Sequence, residues 1–96
     1  MITTTKERRA FQRMIINAPV TLHQGALRQV GICRDLSANG MGIFIEESGL
    51  DESQPLSVSL ATGSNLLPPF EAQARIIRIG EEAGGYRVAV EFVSVA

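Results

Sequence analysis

The feature of this sequence that most limits its fold is a period of two in apolar residues, repeated in short segments along most of the chain. Within residues 55–60, Leu-Ser-Val-Ser-Leu alternates apolar and polar side chains, which is typical of a β-strand with one buried face. Turn signals separate such segments, and no segment carries the apolar stripe of a helix. The pattern predicts an all-β sandwich or small barrel with about six strands. The predicted strands are residues 18–23, 27–35, 42–46, 55–60, 70–79 and 86–93.

Length and composition indicate one small domain with an aliphatic core. The chain has 96 residues, 45% of them apolar, with no Trp, one Tyr and four Phe. Cys33 is the only cysteine, which excludes an internal disulfide and a cysteine-based metal cluster. No apolar run reaches the roughly 18 residues that span a bilayer, and residues 1–13 lack the apolar core of a signal peptide. We therefore expect a cytoplasmic protein without membrane insertion.

Cations are concentrated at the start of the chain. Residues 1–34 hold six Lys or Arg side chains against one acid, for a net charge of +5. Residues 35–96 hold three Arg side chains against nine acids, for a net charge of −6. A solvated basic tail and a site for an anionic partner are both open interpretations. Because residues 1–13 show no sustained apolar period, we predict a flexible basic arm there and a folded β domain over residues 14–96.

The polar residues do not form a recognisable catalytic set. His23 is the only histidine and lies in an alternating segment, where a solvent-facing side chain is expected. Cys33 lies on a predicted strand and is expected to be a small core residue rather than a nucleophile. The sequence shows no metal-ligand spacing and no GxxxxGK[ST] phosphate loop. We therefore predict that the chain is not an enzyme and holds no metal or cofactor.

Residues 35–42, Asp-Leu-Ser-Ala-Asn-Gly-Met-Gly, carry more directed polar groups than a connection between strands requires. On one interpretation Asp35 and Ser37 make turn hydrogen bonds, and Asn39-Gly40 forms a turn with positive φ. On the other, the glycines admit a ligand close to the backbone. The Asp35 carboxylate would then accept hydrogen bonds from paired N–H donors, such as those on the Watson–Crick edge of guanine.

Arginines in the arm supply the complementary chemistry. An arginine fork binds guanine O6 and N7, holds phosphate through two parallel hydrogen bonds, and stacks on a base. Arg9 and Arg13 together with Asp35 would cover both edges of a guanine and one phosphate. These residues predict a guanine nucleotide with few phosphates as the ligand.

The ordered pair Arg9-x-x-x-Arg13 and Asp35-x-Ser37-x-x-Gly40 resembles the two-part signature of PilZ domains, bacterial receptors for cyclic di-GMP. The resemblance covers nearly the whole chain. It implies a six-stranded antiparallel β-barrel of the split-barrel type, with the RxxxR half of the signature on a mobile N-terminal arm and the DxSxxG half on the barrel.

The resemblance also implies that cyclic di-GMP is bound from two sides. From the arm, the contacts to guanine and phosphate would come from Arg8, Arg9 and Arg13. From the barrel, they would come from Asp35, Ser37, Asn39, Gly40 and Gly42. Arg8 is a third cation suited to stacking on an additional guanine, so we expect an intercalated cyclic di-GMP dimer.

Binding would order the arm and relay the signal to an unidentified protein partner. Many family members add a helix after the closing strand, whereas this chain ends at Ala96, so a homodimer through the uncovered surface is an open alternative. The alternative function is a β-barrel that binds a protein and ignores nucleotides. A nucleic acid polymer is not expected as partner, because it would need aromatic residues interleaved with basic ones, and only Phe11 fits that pattern.

Overall fold

Six antiparallel strands close into a barrel in the computed structural model, which describes residues 14–47, 49–61 and 70–95. The strands are β1 (Met14–Gln24), β2 (Leu27–Ser37), β3 (Gly40–Ile45), β4 (Leu56–Leu60), β5 (Phe70–Glu82) and β6 (Gly85–Val95). Around the barrel they follow the order β1-β2-β3-β6-β5-β4, and β4 pairs with β1 to close the ring. These ranges contain no helix. The predicted all-β class and the six-stranded antiparallel barrel are confirmed.

The core is built by the alternation of side chains along the strands, which sends every second residue to the inside of the barrel. It is aliphatic, as the composition required, and aromatic residues reach it only at its margins. Its buried members are Val20, Leu22, Cys33, Met41, Ile43, Ile45, Leu56, Val58, Leu60, Ala72, Ala74, Ile76, Val88 and Val90.

The apolar pair of β2 faces outward rather than into the barrel. Val30 and Ile32 share a face, as predicted, but they are 57% and 37% exposed. The inward positions belong to Gly31 and Cys33. A β-carbon at Gly31 would lie 2.8 Å from a methyl carbon of Ile45, so only glycine leaves room for this core side chain.

Pro19 lies inside β1, although the sequence predicted it at a strand start or on an edge. In the described ranges β1 pairs with β4 only from Val20 to His23, whereas its pairing with β2 includes Pro19 and Ile32. At Pro19, therefore, only one neighbouring strand is paired. A proline that cannot donate to a ladder is tolerated there for the same reason as on a sheet edge.

Gln24 is a buried polar residue that fixes the connection between β3 and β4. Its Nε2 donates to the carbonyl oxygens of Asp51 and Gln54, at 2.9 and 3.1 Å. The backbone N–H of Asp51 donates to Gln24 Oε1 at 2.7 Å. The single side chain therefore satisfies three backbone groups of the connection, which is how a buried amide is accommodated.

We predict that Gln24→Leu lowers the free energy of unfolding by about 1–3 kcal/mol, because these backbone groups lose their partners in a partly buried position. Urea denaturation followed by circular dichroism measures the change. His23→Ala is the matched control, since His23 is the exposed neighbour on β1, and it should change stability by no more than about 0.5 kcal/mol. Equal stability of the two variants would contradict this role of Gln24.

Candidate functional site

The polar stretch 35–42 forms the end of the hairpin between β2 and β3. Because β2 continues to Ser37 and β3 starts at Gly40, only Ala38 and Asn39 remain for the turn. Ser37 Oγ lies 3.0 Å from Asn39 Oδ1 and 3.3 Å from the carbonyl oxygen of Gly40, and its hydroxyl can donate a hydrogen bond to either oxygen. The Ser37 side chain therefore makes local turn hydrogen bonds, as one of the two interpretations of the sequence expected.

Gly40 is required by a close approach of two strands rather than by its backbone angles. Its φ is not positive, so the interpretation that gave the Asn39-Gly40 pair a positive φ is wrong at Gly40; the glycines with a positive φ are Gly25 and Gly84 in the described ranges. A β-carbon at Gly40 would clash with the carbonyl oxygen of Val90 on β6. Glycine therefore lets β3 and β6 pair tightly beside the turn.

A β-bulge places Asp35 on the outer face of β2. Cys33 pairs with the core residue Ile43, whereas Asp35 pairs with Gly42, and the register shifts between these two pairs. Leu36 then pairs with another core residue, Met41. Strict alternation would put residues 33 and 35 on the same face. The bulge breaks this alternation and turns the carboxylate away from the core.

The Asp35 carboxylate forms an ion pair with Arg87 of β6. Arg87 Nη2 lies 3.2 Å from Asp35 Oδ2. The Asp35 side chain is 8% exposed and that of Arg87 is 46% exposed. A buried carboxylate requires such partners, because leaving it unpaired away from water costs several kcal/mol.

Gly42 of β3 lies between the two charged residues and leaves the space in which they meet. A β-carbon at Gly42 would lie 3.0 Å from both carboxylate oxygens of Asp35 and 3.3 Å from Arg87 Nη2. Any side chain at this position would therefore press on the ion pair. The sequence predicts that Gly40 and Gly42 admit a ligand. In the structure they leave space for atoms of the protein: the backbone of Val90 at Gly40 and the ion pair at Gly42.

A hollow of about 150 Å³ lies over this end of the barrel. It is too small to enclose a nucleotide, so a ligand of that size would lie across it with much of its surface outside. Its lining brings together most of the predicted barrel residues and adds members of β5 and β6. The polar and glycine lining residues are Ser37, Asn39, Gly40, Gly42, Arg87 and Glu91.

The predicted site residues divide into two groups. The first group lies together at one end of the barrel. Asp35 contacts Arg87 there, and the hollow is lined by Ser37, Asn39, Gly40 and Gly42. The arm residues Arg8, Arg9 and Arg13 lie outside the described part of the chain. Sequence reasoning missed Arg87, because the segment around it indicated only a strand. Its place beside Asp35 depends on the pairing of β3 with both β2 and β6.

The remaining reactive side chains lie where the sequence predicted. His23 is exposed on β1, and Cys33 is fully buried. Burial raises the pKa of the Cys33 thiol to about 11, and the nearby charge of Asp35 adds to the rise. Within the described ranges, no group of three or more His, Cys, Asp or Glu side chains is placed to hold a metal ion. A helix long and apolar enough to cross a membrane is likewise not found among these residues.

The fold of this chain is similar to that of three solved structures. The Bacillus subtilis inhibitor of motility, MotI/DgrA, is 16% identical with a TM-score of 0.73, over 93% of this chain and 44% of that one. The PilZ domain of Escherichia coli YcgR with c-di-GMP is 19% identical with a TM-score of 0.69, over 90% and 78%. A second structure, YcgR of Escherichia coli in complex with c-di-GMP, is 26% identical with a TM-score of 0.67, over 93% and 39%.

This chain therefore spans less than half of the length of MotI/DgrA and of the second YcgR structure. No curated protein matches the sequence. The PilZ domain family model, by contrast, matches residues 7–96, nearly the whole chain. This match agrees with the six-stranded topology and with the position of the DxSxxG residues at one end of the barrel. The chain belongs to the PilZ domain family.

Proposed function

We propose that this chain is a cytoplasmic cyclic di-GMP receptor that binds the dinucleotide at the β2–β3 end of the barrel and does not act as an enzyme. The observation that carries the proposal is the hollow lined by Ser37, Gly42 and Arg87, with the Asp35 carboxylate paired to that arginine. Membership of the PilZ family supports it. So does the likeness to YcgR, whose structures include bound c-di-GMP.

The chemistry of the barrel residues suits one edge of a guanine. A carboxylate accepts hydrogen bonds only, and guanine presents adjacent N–H donors at N1 and at its exocyclic amine. Asp35 is held with little exposure beside the hollow, so hydrogen bonds to it form in a partly water-excluded place. Adenine presents a hydrogen-bond acceptor at N1, which cannot pair with the carboxylate oxygens because these are acceptors as well. The site therefore favours guanine.

The arm would supply the second half of the site. Arg9 and Arg13 would hold phosphate and the other guanine edge, since an arginine fork suits both groups. Arg8 would stack on an additional guanine, which gives an intercalated dimer of cyclic di-GMP as the bound form. Bridging between arm and barrel would order the arm and alter the surface presented to a protein partner.

We predict that calorimetric titration of the wild-type protein with cyclic di-GMP gives saturable heat and two ligands per chain. Arg13→Ala and Asp35→Ala should each weaken binding by about 5- to 150-fold, the effect of losing one bidentate contact. Arg28→Ala removes an equal charge from an exposed position on β2 and should bind as the wild type does.

Circular dichroism should show the same β spectrum for all four proteins. The absence of heat at tens of micromolar wild-type protein would contradict the receptor function. A stoichiometry of one ligand per chain would contradict the intercalated dimer while leaving the receptor function in place.

We predict that Gly42→Ala weakens cyclic di-GMP binding about tenfold, because its methyl group would displace the Asp35 carboxylate from its present position. Gly80→Ala is the matched control, since a β-carbon at Gly80 meets no atom within 4 Å and its φ is not left-handed. Titration calorimetry compares the two variants, and equal affinities would show that the space over Gly42 is not needed.

A further inference from the structure

We propose that Arg87, which belongs to neither half of the PilZ signature, is a positioning residue that holds the Asp35 carboxylate in the orientation that guanine requires. The proposal rests on the function proposed above. Its basis is the ion pair across β3, in which Arg87 Nη2 lies 3.2 Å from Asp35 Oδ2.

The sheet pairing explains why these two side chains meet. On the outer face, Asp35 of β2 pairs with Gly42 of β3, and Gly42 pairs in turn with Ala89 of β6. Arg87 lies two residues before Ala89, so its side chain points to the same face. It crosses the glycine position and reaches the carboxylate, because neither Gly42 nor Ala89 carries a side chain long enough to block it.

The ion pair joins a buried group to an exposed one. Asp35 is 8% exposed in its side chain, whereas Arg87 is 46% exposed and also lines the hollow. Arg75 and Glu91 form a different kind of pair, with side chains 68% and 38% exposed, and such surface pairs contribute little. A contact to a buried carboxylate restrains the carboxylate much more strongly, since rotating it would break a charge-assisted hydrogen bond with little water to replace it.

The orientation of the carboxylate decides which guanine atoms it can contact. Two acceptor oxygens can receive both N1–H and the exocyclic amine only when the carboxylate plane faces that edge. A restrained carboxylate is preorganised for this contact, and a freely rotating one must be ordered on binding. Arg87 should therefore contribute to the preference for guanine over hypoxanthine, which lacks the exocyclic amine.

The test compares calorimetric titrations with cyclic di-GMP and with cyclic di-IMP, whose bases are hypoxanthine. The wild type should prefer cyclic di-GMP by about tenfold or more. Arg87→Ala should weaken cyclic di-GMP binding by about tenfold and reduce the preference to about threefold or less. Arg87→Lys should restore most of the preference, because an ammonium group can also donate to the carboxylate. Arg28→Ala, the charge-matched control, should behave as the wild type.

Two outcomes overturn the positioning role. In the first, Arg87→Ala binds cyclic di-GMP within about twofold of the wild type. In the second, it weakens both ligands equally, which would mean that Arg87 acts on the phosphates or on folding rather than through Asp35. If Arg87→Ala is unfolded in thermal melts at the assay temperature, Arg87→Gln replaces it with the same expected loss of preference. If the wild type binds neither ligand, both the receptor function and the positioning role of Arg87 are contradicted. The two outcomes for Arg87→Ala given above contradict only the positioning role.

Discussion

The β-bulge between Cys33 and Asp35 is the constraint on which the rest of this structure depends. Along a regular strand these residues would share a face, and a carboxylate would enter an aliphatic core at a cost of several kcal/mol. The register shift keeps Cys33 and Leu36 on the inner face and turns Asp35 outward, towards Gly42 and Arg87. One local irregularity thus keeps a carboxylate out of the aliphatic core and places it beside its arginine partner.

β3 joins the two sides of the site because it pairs with both β2 and β6. Its glycines are explained by the protein before any ligand is considered: Gly40 admits the backbone of Val90, and Gly42 leaves the space occupied by the ion pair. Gly40, the glycine of the DxSxxG half of the signature, therefore has a packing role in the barrel itself. A site assembled in this way is held by paired strands rather than by a loose loop, which favours a preorganised binding surface.

Much of the fold could be predicted from the sequence, because a period of two is a local signal. All six strands lie where alternation and turn residues placed them, with differences mainly at their ends. The outward face of Val30, the pairing of Pro19 and the contact of Arg87 with Asp35 could not be predicted. The pairing of Pro19 and the contact of Arg87 depend on which strands distant in sequence become neighbours, and the bulge that turns Asp35 outward has no composition signal. The face of Val30 depends on which of the two sides of β2 is packed against the core. The boundary between arm and barrel and the roles of Arg8, Arg9 and Arg13 stay predictions.

NMR titration of the ¹⁵N-labelled protein tests most directly whether the end of the barrel around Asp35 binds cyclic di-GMP. On addition of cyclic di-GMP, the amide resonances of Ser37, Gly40, Gly42 and Arg87 should shift together to saturation. Those of Gly25, in the turn between β1 and β2, and of Leu27, at the opposite end of β2, should stay in place. Shifts confined to the Gly25 end, or no shifts at a saturating concentration of the dinucleotide, would contradict binding of cyclic di-GMP around Asp35.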